Sequence, residues 1–289
     1  MKKKFILCLG GGVYQKHLVE EIKKINCEPI VVDADNSCVC FNEVQFKINL
    51  NINETELILN KINNLNIRKN IIAVVTQAAR TAPRQASFLA KKLKCESLNF
   101  RTAKLLEDKY KISKIFNKLL NPKKFKNQFI LTKRTFPYLI KINNLSGGRG
   151  IFKVNKKSDV KIFLKKNKYA NFFAENYKKS KSFNIVGLKL KNRFKFYGIF
   201  EKKINKNFST SNIFYSKENF DKRLYLLNFC KKVLAKIKFD HGPFNFELFE
   251  DQNKKLFIAE IEPSLIGGNV AKYLCNEASN QNIIKDYLN

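Results

Sequence analysis

Acid is scarce in this chain. Its 289 residues carry 24 Asp plus Glu against 56 Lys plus Arg, a formal net charge of +32. Concentrated on one face, such an excess would mark a nucleic-acid or membrane-surface binder. Here the lysines run through the whole sequence, and no single basic stripe is interleaved with aromatics. The pattern reads as a coding bias toward Lys, Asn, Ile and Phe, with lysines spread over solvated faces. No specific nucleic-acid partner is expected, although a positive field still concentrates anionic substrates such as nucleotides.

Long apolar runs are also missing, and none reaches the ~18 residues of a membrane span. The opening MKKKFILCLGGG has a charged start, but its apolar part covers only residues 5–9 before three glycines. A secretory leader needs ~7 to 15 apolar residues there. Metal-spaced cysteines are lacking too. Of seven cysteines only Cys38 and Cys40 stand close, and no second pair follows at metal-site spacing. An odd number in apolar surroundings reads as reduced thiols. The expectation is a cytoplasmic protein without membrane contact. There is no internal repeat and no disordered linker. The 44% hydrophobic content is that of a globular chain, and the length allows two domains.

What is present alternates. Strand-like KFILCL, EPIVVDAD and NIIAVVT are separated by the helical patterns YQKHLVEEIKKI and ETELILNKINNL and followed by APRQASFLAKKL. This predicts a doubly wound parallel sheet with helices on both faces over residues 1–100. After Asn99 the pattern changes. TAKLLEDKYKISKIFNKLL predicts one helix stopped at Asn121-Pro122, and a further helix is expected over residues 158–166. SFNIVGLKLKNRFKFYGIFEKK predicts a hairpin turning near Lys191-Asn192. NFDKRLYLLNFCKKVLAKI predicts a long helix. GPFNFELFEDQNKKLFIAEIEPS predicts two strands joined by a polar turn, before short terminal helices. The fold class is therefore α/β followed by α+β.

Three constellations carry chemistry. LGGGVYQ follows a strand and opens a helix, with Asp33 at the end of the next strand, as in a dinucleotide-binding turn. Its third glycine is missing, because Gln15 stands there, so an NAD-dependent oxidoreductase is kept only as an alternative. The second constellation is acidic. Glu260 and Glu262 alternate on one strand face, and the hairpin can bring Glu247 beside them. Three converging carboxylates in half-buried surroundings call for a cation, and hard oxygen ligands suit Mg²⁺. The third is the stretch YLIKINNLSGGRGIFKV. Its glycines let backbone N–H groups turn toward an anion, while Lys141 supplies a point charge. His17 is expected at the surface and His241 in a capping or packing role. Arg80 and Arg84 follow the strand AVVT at the sheet edge where ligands bind.

The order Lys109, Lys141, SGGRG, FFAENY, Glu247 and AEIEPSLIGG resembles the ATP-grasp superfamily, in its carbamoyl-phosphate-synthase-like and D-alanine-ligase-like branches. The resemblance covers nearly the whole chain. It implies an amino-terminal α/β domain at 1–100 and an ATP-grasp domain at 101–289, with a small lid at about 125–176. It implies that Lys109 and Lys141 contact nucleotide phosphates and that the loop Ser146, Gly147, Gly148, Arg149, Gly150 closes over them. Glu175, Asn176 and Tyr177 would read the adenine. Glu247 and Glu260 would hold Mg²⁺ or Mn²⁺, with Glu262 at a position the family fills with asparagine. Lys141, Arg149 and Asn245 are the implied catalytic positions.

The departures lie on the acceptor side. Ser264 stands where many members carry arginine, Asn245 where some do, and Ser182 where an acid often contacts the ribose. Lys202 or Lys203 is a candidate substitute for the missing cations. The chain also ends soon after LIGG, where many relatives continue, which would remove a specificity element. The implied activity is an ADP-forming, Mg²⁺-dependent carboxylate–amine or carboxylate–thiol ligase working through an acyl phosphate. The implied partners are a small-molecule carboxylate and amine, and a homodimer is an open possibility. An ATP-binding relative with lost or altered ligase chemistry is the alternative.

Overall fold

KFILCL becomes the central strand of the amino-terminal sheet because every side chain after Lys4 finds an apolar layer. In the computed structural model, which describes residues 3–124, 134–143, 145, 148–167, 171–191, 193–215 and 223–288, Ile6 and Cys8 face one buried cluster. Phe5, Leu7 and Leu9 face another. Strands covered on both faces are continuously apolar rather than alternating. Strands β1 (Lys4–Leu9), β2 (Cys27–Asp33), β3 (Phe46–Asn49) and β4 (Ile71–Thr76) pair in parallel in the order β3-β2-β1-β4. Helices α1 (Lys16–Lys24), α2 (Thr55–Asn64) and α3 (Ala82–Leu93) connect or follow them. Only β3 escaped the sequence reading. It has four residues, of which one, Ile48, is fully buried.

The single helix expected after Asn99 is two helices, α4 (Phe100–Glu107) and α5 (Lys109–Phe116). Asp108 breaks it. Its backbone is extended, at φ −94° and ψ 92°, and its carboxylate accepts from Lys111 N–H at 3.1 Å. Aspartate competes for backbone donors in this way and so starts a new helix. The break places Lys109 at the first position of α5.

Two antiparallel sheets follow. The smaller has the order β5-β8-β6-β7, from β5 (Lys123–Lys124), β6 (Tyr138–Ile142), β7 (Ile151–Val154) and β8 (Phe172–Asn176). Helix α6 (Lys157–Lys166) packs Val160 and Phe163 against its Tyr138, Ile140 and Ala174. The larger has the order β11-β10-β9-β12-β13, from β9 (Ser180–Leu190), β10 (Arg193–Ile204), β11 (Thr210–Tyr215), β12 (Gly242–Asp251) and β13 (Leu256–Glu262). Its predicted hairpins form as expected, though Asn192 lies outside the described residues. Helix α7 spans Leu224–Lys236, and the start of the predicted pattern, at Asn219, lies outside the described residues.

The two faces of the five-stranded sheet differ, as strand alternation requires. Phe183, Ile185, Phe246 and Leu248 pack with Leu226, Cys230 and Val233 of α7. On the other face, Val186, Leu188 and Phe200 share a core with Cys8 and Val31 of the parallel sheet. That second face also carries Ser182, Asn184, Asn245 and Glu247. Short helical turns, including α8 (Cys275–Ser279) and α9 (Ile283–Leu288), close the chain. All seven cysteines are unpaired. Among the described residues no helix is long and apolar enough to cross a membrane.

Candidate active site

The acids converge as the hairpin register dictates. Asn245 lies opposite Glu262, and Glu247 opposite Glu260, in the antiparallel β12–β13 pair. Directly opposed residues share a face. Two lysines stand among them. Lys109 Nζ lies 3.0 Å from Glu260 Oε2 and also donates to the Leu145 carbonyl at 2.7 Å. Lys202 Nζ lies 2.8 Å from Glu247 Oε1. Burial holds the Glu262 carboxyl well above the usual carboxylate range, helped by the Glu260 charge, a hydrogen bond to Glu260 and the Glu247 charge, while Lys109 opposes the shift. Among the described residues no three His, Cys, Asp or Glu side chains stand in a finished metal-ligating arrangement. The donor chemistry is nevertheless uniform: three carboxylates and an amide oxygen suit a hard divalent cation.

Lys141, next to last in β6, is 5% exposed and pairs with the buried carboxylate of Glu175. Ser113 Oγ donates to the other Glu175 oxygen at 2.6 Å. Beside this pair a cavity of about 760 Å³ opens between the two antiparallel sheets, lined among others by Asn176, Tyr177, Phe249 and Phe257. Lys141, Ile151, Ile204, Phe208 and Phe249 also wall a smaller adjoining cavity, together with Lys109, Arg149, Lys202, Glu247 and Glu260. One continuous surface thus runs from an apolar-walled hollow to a cluster of opposite charges.

Of the predicted glycine loop, Ser146 and Gly147 lie outside the described residues. Gly148 (φ +77°) and Gly150 (φ +80°) occupy the left-handed region, as close backbone approach demands. A Cβ on Gly148 would sit 2.3 Å from the Phe208 carbonyl oxygen. The loop therefore rests directly on the β10–β11 turn, residues 205–209.

Other candidates separate cleanly. Asn176 Oδ1 accepts from Arg134 Nη2 at 2.8 Å, and the Lys153 ammonium sits 4.0 Å over the Tyr177 ring. Lys202 is buried and Lys203 exposed, so only the former faces the acids. Arg84 is tied to Glu107, whereas exposed Arg80 lines a small cavity with Lys109, Glu260 and Glu262. His17 is not the surface residue expected. Its side chain is 11% exposed and lies 3.4 Å from Glu20. His241 packs beside Tyr287, as expected. The Gly10–Gly12 turn is closed by the protein itself: Gly11 N–H donates to Asp33 at 2.7 Å and Gly11 O accepts from Cys40 N–H. Sequence reasoning missed Asn184, which is 3% exposed and faces Glu247 across the β9–β12 register. Its signal was available in SFNIVG, where Ser182 and Asn184 alternate with Phe183 and Ile185.

The sequence matches no protein-family model. It also matches no curated protein. Solved structures do resemble it. An N5-carboxyaminoimidazole synthetase from Staphylococcus aureus, complexed with ADP, superposes over 100% of this chain and 77% of its own, at TM-score 0.81 and 18% identity. An L-amino acid ligase from Bacillus licheniformis matches over 100% and 74%, at 0.80 and 17%. A biotin carboxylase from Campylobacter jejuni, in a β-γ-ATP complex, matches over 99% and 70%, at 0.79 and 15%. These superpositions over nearly the whole chain show that it has the ATP-grasp fold.

Proposed function

We propose that the protein is an ATP-dependent ligase that activates a carboxylate by phosphorylation, releases ADP and passes the acyl group to an amine. The observation carrying this reading is the junction at Lys141. A large apolar-walled cavity meets a compartment holding Lys109, Lys202, Glu247 and Glu260, so a base-sized hollow adjoins groups matched to phosphates and a divalent ion. The nucleotide complexes of structurally similar proteins support it.

In this reading Asn176 and Tyr177 border the adenine, and Lys141 and Lys109 contact phosphate oxygens. Glu247, Glu260 and Glu262 hold Mg²⁺ or Mn²⁺, which when bound supplies charge neutralisation on the phosphates. Backbone N–H groups around Gly148 and Gly150, with Arg149, cover the transferring group. A carboxylate oxygen attacks the γ-phosphorus as the bond to the ADP oxygen breaks. The amine nitrogen then forms the C–N bond, the acyl C–O bond breaks, phosphate leaves and the amine's surplus proton passes to it. No protein nucleophile is needed. Lys202, buried against Glu247, supplies the cation that Ser264 and Asn245 do not, which favours working chemistry over a lost one. A domain boundary near residue 100 and a reducing compartment for the unpaired cysteines complete the reading.

The direct test is ADP release in Mg²⁺ with pooled carboxylates and amines. Carboxylate-dependent ADP release is the expected result. ATP binding with no ADP from any pool would select the altered-chemistry alternative, and NADH binding without ATP binding would select the oxidoreductase. Gly148→Ala tests the loop. A left-handed non-glycine residue costs roughly 1–2 kcal/mol, and the new methyl cannot share space with Phe208 O. The expected outcome is a fall of about tenfold or more in kcat/KM for ATP, read by steady-state kinetics. Wild-type kinetics in this variant would remove the loop from the site.

A further inference from the structure

One edge of the parallel sheet takes no part in the chemistry proposed above. The chain steps from β1 to β2 and β3 on one side, then crosses to β4 on the other. The crevice between the carboxyl ends of β1 and β4 is therefore the topological switch point, where open α/β sheets bind ligands. The β1 side is taken up by the contact of Gly11 N–H with Asp33. The β4 side carries Arg80. Gln77 Nε2 donates to the Ile266 carbonyl at 3.0 Å, and Leu265 N–H donates to the Thr76 carbonyl at 3.2 Å. The end of β4 is thereby fastened to the segment that follows Glu262, and Arg80 approaches the acids from the other sheet. Shared walls order the cavities. The large hollow and the charged compartment share Lys141, Ile204 and Phe249. The charged compartment and the cavity at Arg80 share Lys109, Leu145 and Glu260. Among the described residues the large hollow and the Arg80 cavity have no wall residue in common. Arg80 thus stands across the charged compartment from the nucleotide hollow.

Resting on the ligase reading, we infer that Arg80 binds the carboxylate of the acid substrate and holds it beside the phosphate compartment. Among the described residues its guanidinium pairs with no carboxylate, although Glu107, Glu260 and Glu262 wall the same cavity. Glu107 is taken by Arg84 and Glu260 by Lys109. Lys202 is likewise tied to Glu247. Arg80 therefore brings an uncompensated charge to this end of the site. Its planar fork matches the two oxygens of a carboxylate. The cavity measures about 30 Å³. That is room for roughly two water-sized groups, as one carboxylate head requires. Because Arg80 is exposed, the rest of the acid can extend toward solvent. The backbone agrees with a functional role. Arg80 lies in the left-handed region, at φ +70°, a conformation unfavourable for a residue with a side chain and found often at ligand sites. In the reaction the held carboxylate oxygen bonds to the γ-phosphorus as the bond to the ADP oxygen breaks. Arg80 itself makes no covalent bond and transfers no proton.

The test uses the full chain with ATP, Mg²⁺ and hydroxylamine. N-acetyl amino acids and sugar acids are supplied one at a time, and the hydroxamate is measured. Arg80→Gly is the main variant, because glycine adopts this backbone conformation freely and the fold should hold. With an acid that the unaltered chain turns over, KM for the acid should rise at least about tenfold while KM for ATP stays within about twofold. Added guanidinium chloride, kept below denaturing concentration, should restore part of the loss. Arg80→Lys, which keeps the charge without the fork, should fall between the two. An unchanged KM for the acid in Arg80→Gly overturns the inference alone. Parallel rises in both KM values mark a merely structural role and overturn it as well. No hydroxamate from the unaltered chain with any of the acids overturns the ligase reading and this inference together.

Discussion

Lys141→Met is expected to lower kcat/KM for ATP by about 10²- to 10³-fold and to destabilise the fold by about 3–5 kcal/mol. The two effects have one cause. Lys141 and Glu175 are both buried, and each is the other's counter-charge. Removing the lysine takes a cation from the proposed phosphate wall and leaves the buried Glu175 carboxyl without its ion-pair partner, while Ser113 Oγ still donates to it. The double variant Lys141→Met/Glu175→Gln separates them. Chemical denaturation should show most of the stability restored, because no uncompensated charge remains. Steady-state kinetics should show activity still lost. Recovery of activity alongside stability would mean that the lysine serves the fold and not the nucleotide.

Glu260→Gln carries the second large effect. The substitution keeps shape and removes one charge from a cluster of three. ADP release should fall by about 10³-fold, and extra magnesium should recover only part of it. The same assay with a chelator should silence the unaltered protein. Glu201→Gln is the matched control. Glu201 sits next to Lys202 on β10 but pairs with Arg223, and it should keep full turnover. ADP release that is indifferent to Glu260→Gln would detach the acids from any metal role.

Much of this arrangement was legible because local pattern and tertiary demand agree. The parallel-sheet strands are short apolar runs, Glu260 and Glu262 of FIAEIE fall on one face by period-two alternation, and the hairpin pairing sets Glu247 opposite Glu260. Other parts were hidden for physical reasons. The break at Asp108 depends on one carboxylate capping Lys111 N–H, against an uninterrupted helical periodicity. Lys202 and Lys203 are equivalent in sequence, and only the β10–β9 register, with Lys202 opposite Ser182, turns one inward. Asn184 lacks charge and a motif, so its place beside Glu247 emerges only once β9 is inserted between β10 and β12. The His17 error has a similar origin. A polar residue on an amphipathic helix reads as solvated until neighbouring elements cover it.

The shared core has a consequence for modular engineering and for descent by recombination. Val186, Leu188 and Phe200 of the large antiparallel sheet are interleaved with Cys8, Val31 and Leu265 in a single apolar cluster. Exchanging residues 1–100 as a cassette would strip that surface and expose a sticky face directly beside the acids. Any foreign replacement must match its contour as well as its chain length, so the front third of the molecule and its five-stranded sheet are constrained to change together.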